Sequence, residues 1–248
     1  MSRKVSFFGG SIVEFIDLYA ISYNGTTQDL NGGDVLDQGP NSFTVLTWIK
    51  VDPTLSGFGR VVQKRGLGAS GTAAGFQLVV GTSGSGDVGV SNTIYDDGVG
   101  NFALITGSPV IGTVDTWILV AFVIDRSLNQ LRLYADGVLK ATNSIPGATG
   151  SIDNARDFIF GSSGSSQYFK GLINDSAIVT GVLTGPQLVE AYNGGVTYNW
   201  LISSFAGDIQ SYWLMGDVPG DIISNIQDPV SGNDLAGVNM TAANIVSI

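Results

Sequence analysis

Apolar residues in this chain come in short runs, some alternating with polar residues and some continuous, and glycine-rich segments separate the runs. Side chains of a strand point alternately to its two faces, so this patterning predicts strands rather than helices. The clearest stretch is 115–140, DTWILVAFVIDRSLNQLRLYADGVLK. It predicts strands over 117–124 and 130–135, with a third starting at Val138. Asp136-Gly137 joins the second to the third, a type I′ hairpin signal because both central residues of that turn need positive φ. Residues 126–129 close the first hairpin, giving an antiparallel meander.

Further strands are predicted over 19–23, 43–51, 60–64, 76–80, 88–95, 102–106, 158–160 and 172–179. Short strands broken by turns every ~8–12 residues predict an all-β sandwich or barrel. The run 43–51 is apolar on both faces, with Phe43, Val45 and Ile49 on one side and Leu46 and Trp48 on the other. Such a strand sits centrally in a packed double layer. One short helix is predicted over 186–193, with Thr184 as cap, Gln187 as its reciprocal partner, Pro186 in the first turn and Gly194 as the stop. Residues 196–205 fit either helix or extended chain, and 207–215 read as a strand with Trp213 in the core. The loops 66–75 and 81–89 are rich in small residues.

Composition narrows the chemistry. The chain has 248 residues, 35 of them glycine, and only 13% are charged, so its surface is built mainly from Ser, Thr, Asn, Gln and Gly. There is no cysteine, hence no disulfide or thiolate metal site, and no histidine, the usual general base and zinc ligand. Net charge is −10, and no base follows Lys170, while Asp175, Glu190, Asp208, Asp217, Asp221, Asp228 and Asp234 do. This balance argues against a nucleic-acid backbone as partner. No apolar run approaches the ~18 residues of a membrane span. Arg3 and Lys4 precede a mildly apolar stretch, but Glu14 and Asp17 interrupt it, so residues 1–18 read as an N-terminal arm or edge element rather than a signal peptide.

Several phrases, in order, resemble the concanavalin A-like, laminin G-like jellyroll family. They are Tyr23-Asn24-Gly25-Thr26 through Asp29-Leu30, the FTVLTWIK run from Phe43, the meander from Trp117 to Lys140, Phe169 through Asp175, and the helix between Val182 and Tyr192. The resemblance covers about 19–195 and implies an antiparallel jellyroll β-sandwich with one short helix. The remaining segment, 196–248, is expected to return to the sandwich or to a neighbouring subunit. Its phrases around Trp213–Asp217, Ile226–Asp228 and Ser231–Asp234, closing on Asn239-Met240-Thr241 and Ile245-Val246, resemble the ending of laminin G-like proteins among tailed-phage virion components.

The resemblance also supplies chemical expectations. Jellyroll glycosidases carry two Glu close together on one strand. Here the only Glu are Glu14 and Glu190, far apart, so the chain is expected not to be an enzyme, with an Asp-only hydrolase as the catalytic reading left open. Calcium is the cofactor the family implies, and the candidate ligands are Asp34 with Asp37, Asp96 with Asp97, and Asp153 with Asp157. An aspartate in a glycine-rich turn is equally a turn former. The family's acidic phrase is altered here to Ile173-Asn174-Asp175. Glycan binding would need exposed rings, and Tyr95, Tyr168 and Tyr198 are the candidates, whereas Trp48, Trp117 and Trp213 read as core.

The expected function is that of a non-enzymatic virion structural protein, a capsid decoration or fibre component at the particle surface. Its partner would be a protein lattice such as a major capsid protein, and its own state a homo-oligomer, with a trimer favoured. The alternative is a glycan-binding module, calcium-dependent or not, of an extracellular adhesin or secreted protein.

Overall fold

The two most continuously apolar strands, Phe43–Val51 and Trp117–Asp125, pair side by side within one sheet. The computed structural model describes residues 3–6, 12–15, 18–66, 69, 72–107, 109–145 and 150–248. Within these, two eight-stranded antiparallel sheets pack face to face.

The first sheet runs from edge to edge through Val138–Ser144, Gln130–Ala135, Trp117–Asp125, Phe43–Val51, Lys170–Thr180, Tyr19–Asn24 and Ile245–Ser247. Ile209–Trp213 pairs with the far half of Lys170–Thr180. The meander turn has Asp136 at φ 52° and Gly137 at φ 74°, both left-handed as the dipeptide predicts. The second sheet runs through Val110–Thr113, Asp87–Asp96, Gly75–Thr82, Phe58–Arg65, Ile159–Phe160, Asp29–Asn31 and Ala236–Val238, with Phe102–Thr106 on the other half of Asp87–Asp96.

Between the sheets lies the main core. Phe158 is its hub: its ring stacks on Trp213 at 5.2 Å and meets Phe160 edge-on at 5.1 Å, and Phe76 lies 6.5 Å away. The C-terminal strands belong to this same sandwich, one closing each sheet: Ala236–Val238 pairs with Asp29–Asn31, and Ile245–Ser247 pairs with Tyr19–Ile21. The short strands 29–31, 110–113, 236–238 and 245–247 have no counterpart in the sequence reading. The loop expected over 81–89 is much shorter, since the flanking strands extend to Thr82 and from Asp87. Of the loop 66–75, residues 67, 68, 70 and 71 lie outside the described residues. At the N-terminus, Arg3–Ser6 pairs with Ile12–Phe15 as a separate hairpin, and the rest of the expected arm, 1–2, 7–11 and 16–17, lies outside the described residues.

A second core covers the outer face of the first sheet. Leu46, Trp48, Leu119, Ala121, Val123, Ala177 and Val179 point outward there. Helix α1, Gly185–Asn193, and the segment carrying Trp200, Phe205, Tyr212 and Leu214 close over them. The helix starts as expected, with Thr184 and Gln187 forming a reciprocal capping box. It ends at Asn193 with Gly194 as its C-cap, the expected stop, and the left-handed residue is the next one, Gly195 (φ 81°). The ambiguous stretch 196–205 holds the 3₁₀ turn Trp200–Ile202, and another, Ala206–Asp208, leads into the strand.

Candidate functional site

The lid over the first sheet stops short of one end, and an aromatic cleft of about 390 Å³ remains there, lined by Trp48, Trp117, Tyr192, Asn193, Gly195 and Val196. Alternation along the central strand turns Trp48 to the outer face. Trp117 opens the next strand, and the last turn of α1 delivers Tyr192. The rings of Trp48 and Tyr192 lie 6.0 Å apart at 30°. Trp48 is nearly buried, Trp117 is half-buried and Tyr192 is 37% exposed. The Nε1–H of Trp48 is shut from solvent and has no hydrogen-bond partner among the described residues. An unpaired buried donor costs ~1–3 kcal/mol.

The cleft is held by its surroundings. Asn174, on the outer face of the neighbouring strand, donates from Nδ2 to the Val196 carbonyl at 3.3 Å. The Tyr198 ring lies so close to Gly194 that a Cβ there would come within 2.1 Å of it. The Tyr198 hydroxyl donates to Glu190 at 3.2 Å, and Glu190 also accepts from the Ser204 hydroxyl and, at 2.9 Å, from its backbone N–H. These bonds, the Ser204 hydroxyl foremost, hold the Glu190 carboxyl below its ordinary pKa. Tyr198 thus acts as a buttress beside the cleft rather than as a lining ring.

The other two tyrosine candidates are placed elsewhere. Tyr95 is fully buried in the main core, with the Arg126 guanidinium 5.0 Å over its ring. It offers no face to a ligand, because its position in the alternation points inward. Tyr168 lines a separate open cleft of about 420 Å³ with Phe58, which is 53% exposed, and with Gln167, Thr26 and Ser56.

None of the aspartate pairs converges as a hard cation requires, with six to eight oxygens from several loops. Asp34 and Asp37 face a cation the chain already carries. Lys64 Nζ lies 2.7 Å from Asp34 and 3.3 Å from Asp37, and it donates to the carbonyls of Asn154 and Arg156 at 3.2 and 2.8 Å. Asp96 is buried in an ion pair with Arg65 at 3.0 Å. Asp97 accepts from the backbone of Val99 and Asn101, each at 3.0 Å, as a turn former does. Asp153 accepts from Gly39 N at 2.6 Å, and Asp157 from Asn31 Nδ2 at 2.8 Å. Asp175, at the altered acidic phrase, sits fully buried in a bulge opposite Trp48 and Thr47 with φ 21°. Among the described residues no group of three or more acidic side chains comes together as a metal site. No helix of the described residues is long and apolar enough to cross a membrane.

Sequence reasoning missed the cleft because it read Trp117 as core and left Tyr192 inside a helix. The available signal was the placement of both at element ends beside polar residues, Asp115-Thr116 and Asn193.

Two stacked sheets, a meander and a short capped helix define a lectin-type jellyroll. The chain belongs to the concanavalin A-like lectin/glucanases superfamily, whose pattern matches residues 24–189. No curated protein matches it. Among solved structures, it is similar to a putative carbohydrate binding protein from Bacteroides ovatus, with TM-score 0.63 and 17% identity over 98% of this chain and 65% of that one. This chain therefore spans just under two thirds of that protein. It is also similar to a heptameric SAP-like pentraxin from Limulus polyphemus, with TM-score 0.54 and 15% identity over 76% of this chain and 91% of that one. A third is the CBM40 of a Ruminococcus gnavus sialidase, solved with sialyllactose, with TM-score 0.51 and 18% identity over 70% of this chain and 96% of that one. At these identities the likeness is one of fold.

Proposed function

We propose that this chain is a non-catalytic glycan-binding module whose binding surface is the Trp48–Trp117–Tyr192 cleft. The observation that carries the reading is the cleft itself: three aromatic side chains lining an opening to solvent, with an amide, Asn193, beside them. Aromatic faces pack against the C–H faces of sugar rings, and a few placed polar groups fix orientation. Two of the similar folds are described as carbohydrate-binding, which supports the same reading. No carboxylate lines the cleft, and Glu190 is engaged with Ser204 and Tyr198, so the paired acids of glycoside hydrolysis are missing from it.

Binding is expected to be independent of calcium, because the candidate aspartates are engaged with Lys64, Arg65 and backbone N–H groups. The virion reading draws on the tail phrases, and in this fold those phrases complete the chain's own sheets. It therefore gains no partner surface from them.

The test is indole fluorescence during titration with a panel of neutral oligosaccharides, with and without chelator. A saturable change is expected, insensitive to chelator. Trp117→Ala should weaken it by about tenfold or more, equivalent to ~1.4 kcal/mol. A panel that leaves emission unchanged, or a Trp117→Ala variant that binds as wild type, overturns the reading.

A further inference from the structure

Among the described residues no second apolar layer packs over the outer face of the second sheet, and that face holds several cations of an otherwise acidic chain. Arg60, Arg65 and Arg156 lie there, three of only 11 basic residues against 21 acids. Arg65 pairs with Asp96. Arg60 and Arg156 have no carboxylate partner among the described residues. Arg60 donates instead to two neutral amide oxygens, those of Gln63 and Gln167. Burial and then the charge of Arg65 lower its pKa to about 10. Of Arg60 and Arg156, Arg156 lines a cleft, and a guanidinium with no carboxylate partner among the described residues is one an incoming anion completes.

This cleft, of about 250 Å³, is lined by Gln63, Arg65, Arg156, Asp157, Ile159 and Ser163. Gln63, Arg65 and Ile159 are each at least nine-tenths buried, while Arg156 is exposed. The volume suits one sugar-sized ring. The lining combines an apolar patch, an amide, a hydroxyl, two guanidiniums and one carboxylate. Asp157 would repel a polyanion such as a phosphate chain, yet it accepts hydroxyl hydrogens well. A ring with one carboxylate and several hydroxyls satisfies every one of these groups.

We propose that this cleft is a second ligand site, which takes the carboxylate-bearing ring of an acidic saccharide. Arg156, the lining guanidinium without a carboxylate partner, binds the carboxylate, and Gln63 and Asp157 read the hydroxyls. That the ligand is an anion rests on Arg156 alone; that the anion is a sugar rests on the glycan reading above.

The experiment is amide NMR of the full chain titrated with galacturonate, galactose and acetate, on wild type, Arg156→Gln and Trp117→Ala. Galacturonate is expected to move the amides around Arg65, Arg156, Ile159 and Ser163, with affinity falling as salt rises. Arg156→Gln should weaken it about tenfold, the loss of one charge-assisted contact, while Trp117→Ala leaves it unchanged. Galactose should leave these amides in place. Galacturonate binding that persists in Arg156→Gln, equal shifts from galactose, or no shift at all overturns the proposal. Acetate matching galacturonate in affinity overturns its saccharide part. Failure of the aromatic cleft with galacturonate still bound here would sink only the site proposed above.

Discussion

The two outer faces of the sandwich are built on opposite plans. The first sheet is apolar on both sides, and α1 with the 198–218 segment buries its outer side. The second sheet puts Gln63, Arg65, Gln77 and Asn92 outward and, among the described residues, carries no such apolar layer. The inner faces are alike, both feeding one core. What differs is the residue on the alternate positions, and that choice decides whether a sheet keeps a lid. It also decides what ligand chemistry is left over. An apolar face covered incompletely exposes rings, whereas a polar face exposes hydrogen-bonding groups and charge.

The sharpest way to break this comparison is to damage the lid. Trp200 is fully buried beneath it, with its ring 5.4 Å from Tyr212. Trp200→Ala should destabilise the chain by about 3–5 kcal/mol, the usual cost of a large aromatic cavity. Urea unfolding checks this, with the midpoint falling at constant slope. A loss under ~1 kcal/mol would mean the lid is an accessory rather than a second core.

A smaller effect is expected where the second sheet meets the 154–156 loop. Lys64 is buried, and its ammonium is caged by Asp34, Asp37 and two carbonyls. Lys64→Met removes that cation and should cost about 2 kcal/mol. This is less than the ~3–5 of a fully buried pair, because both aspartates are about half exposed. Chelator and calcium should leave the wild-type melting temperature unchanged, since Lys64 already occupies the point where the oxygens converge. A calcium-induced rise in wild type would contradict the assignment of these aspartates to Lys64.

The lid was partly legible in the sequence and the cleft was not. Thr184, Gln187 and Pro186 mark the helix through local rules acting over a single turn. Asp136-Gly137 sets the meander in the same way. Both-faced apolarity in 43–51 announces a covered sheet without saying what covers it. The strands at 29–31 and 236–238 are three residues each, too short for alternation to register, and they exist through pairing across the fold. Trp117 and Tyr192 share a cleft only because the folded chain brings an element start beside a helix end. Likewise Asp34 and Asp37 look like metal ligands until tertiary packing delivers Lys64 from a different strand.

The anchoring of the lid's end gives a pH-dependent test of about 1 kcal/mol. Glu190 accepts from Ser204 and Tyr198, and these bonds lower its folded pKa. The folded state therefore binds this proton less readily than the unfolded chain does. Its stabilisation is full above the ordinary Glu range of ~4.3 and is lost as pH falls through the lowered folded value. Wild type should exceed Glu190→Gln by about 1 kcal/mol at pH 6, a modest figure because the group is partly solvated. The difference should vanish towards pH 3. A pH-independent gap would assign the effect to shape rather than to charge.

The smallest effect is the most discriminating for the open face. Gln77 is only 3% exposed, and its Nε2 donates to Asn92 at 2.6 Å. Its Oε1 has no hydrogen-bond partner among the described residues. Folding thus desolvates an acceptor without replacing its water. Gln77→Leu removes that penalty and also one hydrogen bond, so the two changes nearly cancel. The expected shift is roughly 0–1 kcal/mol, in the stabilising direction. Thermal unfolding of the variant beside wild type would resolve it. A clear destabilisation would show that the Gln77–Asn92 bond outweighs the unpaired acceptor, and the outer face of the second sheet would then be a bonded polar layer that contributes to folding, not a surface left available to a ligand.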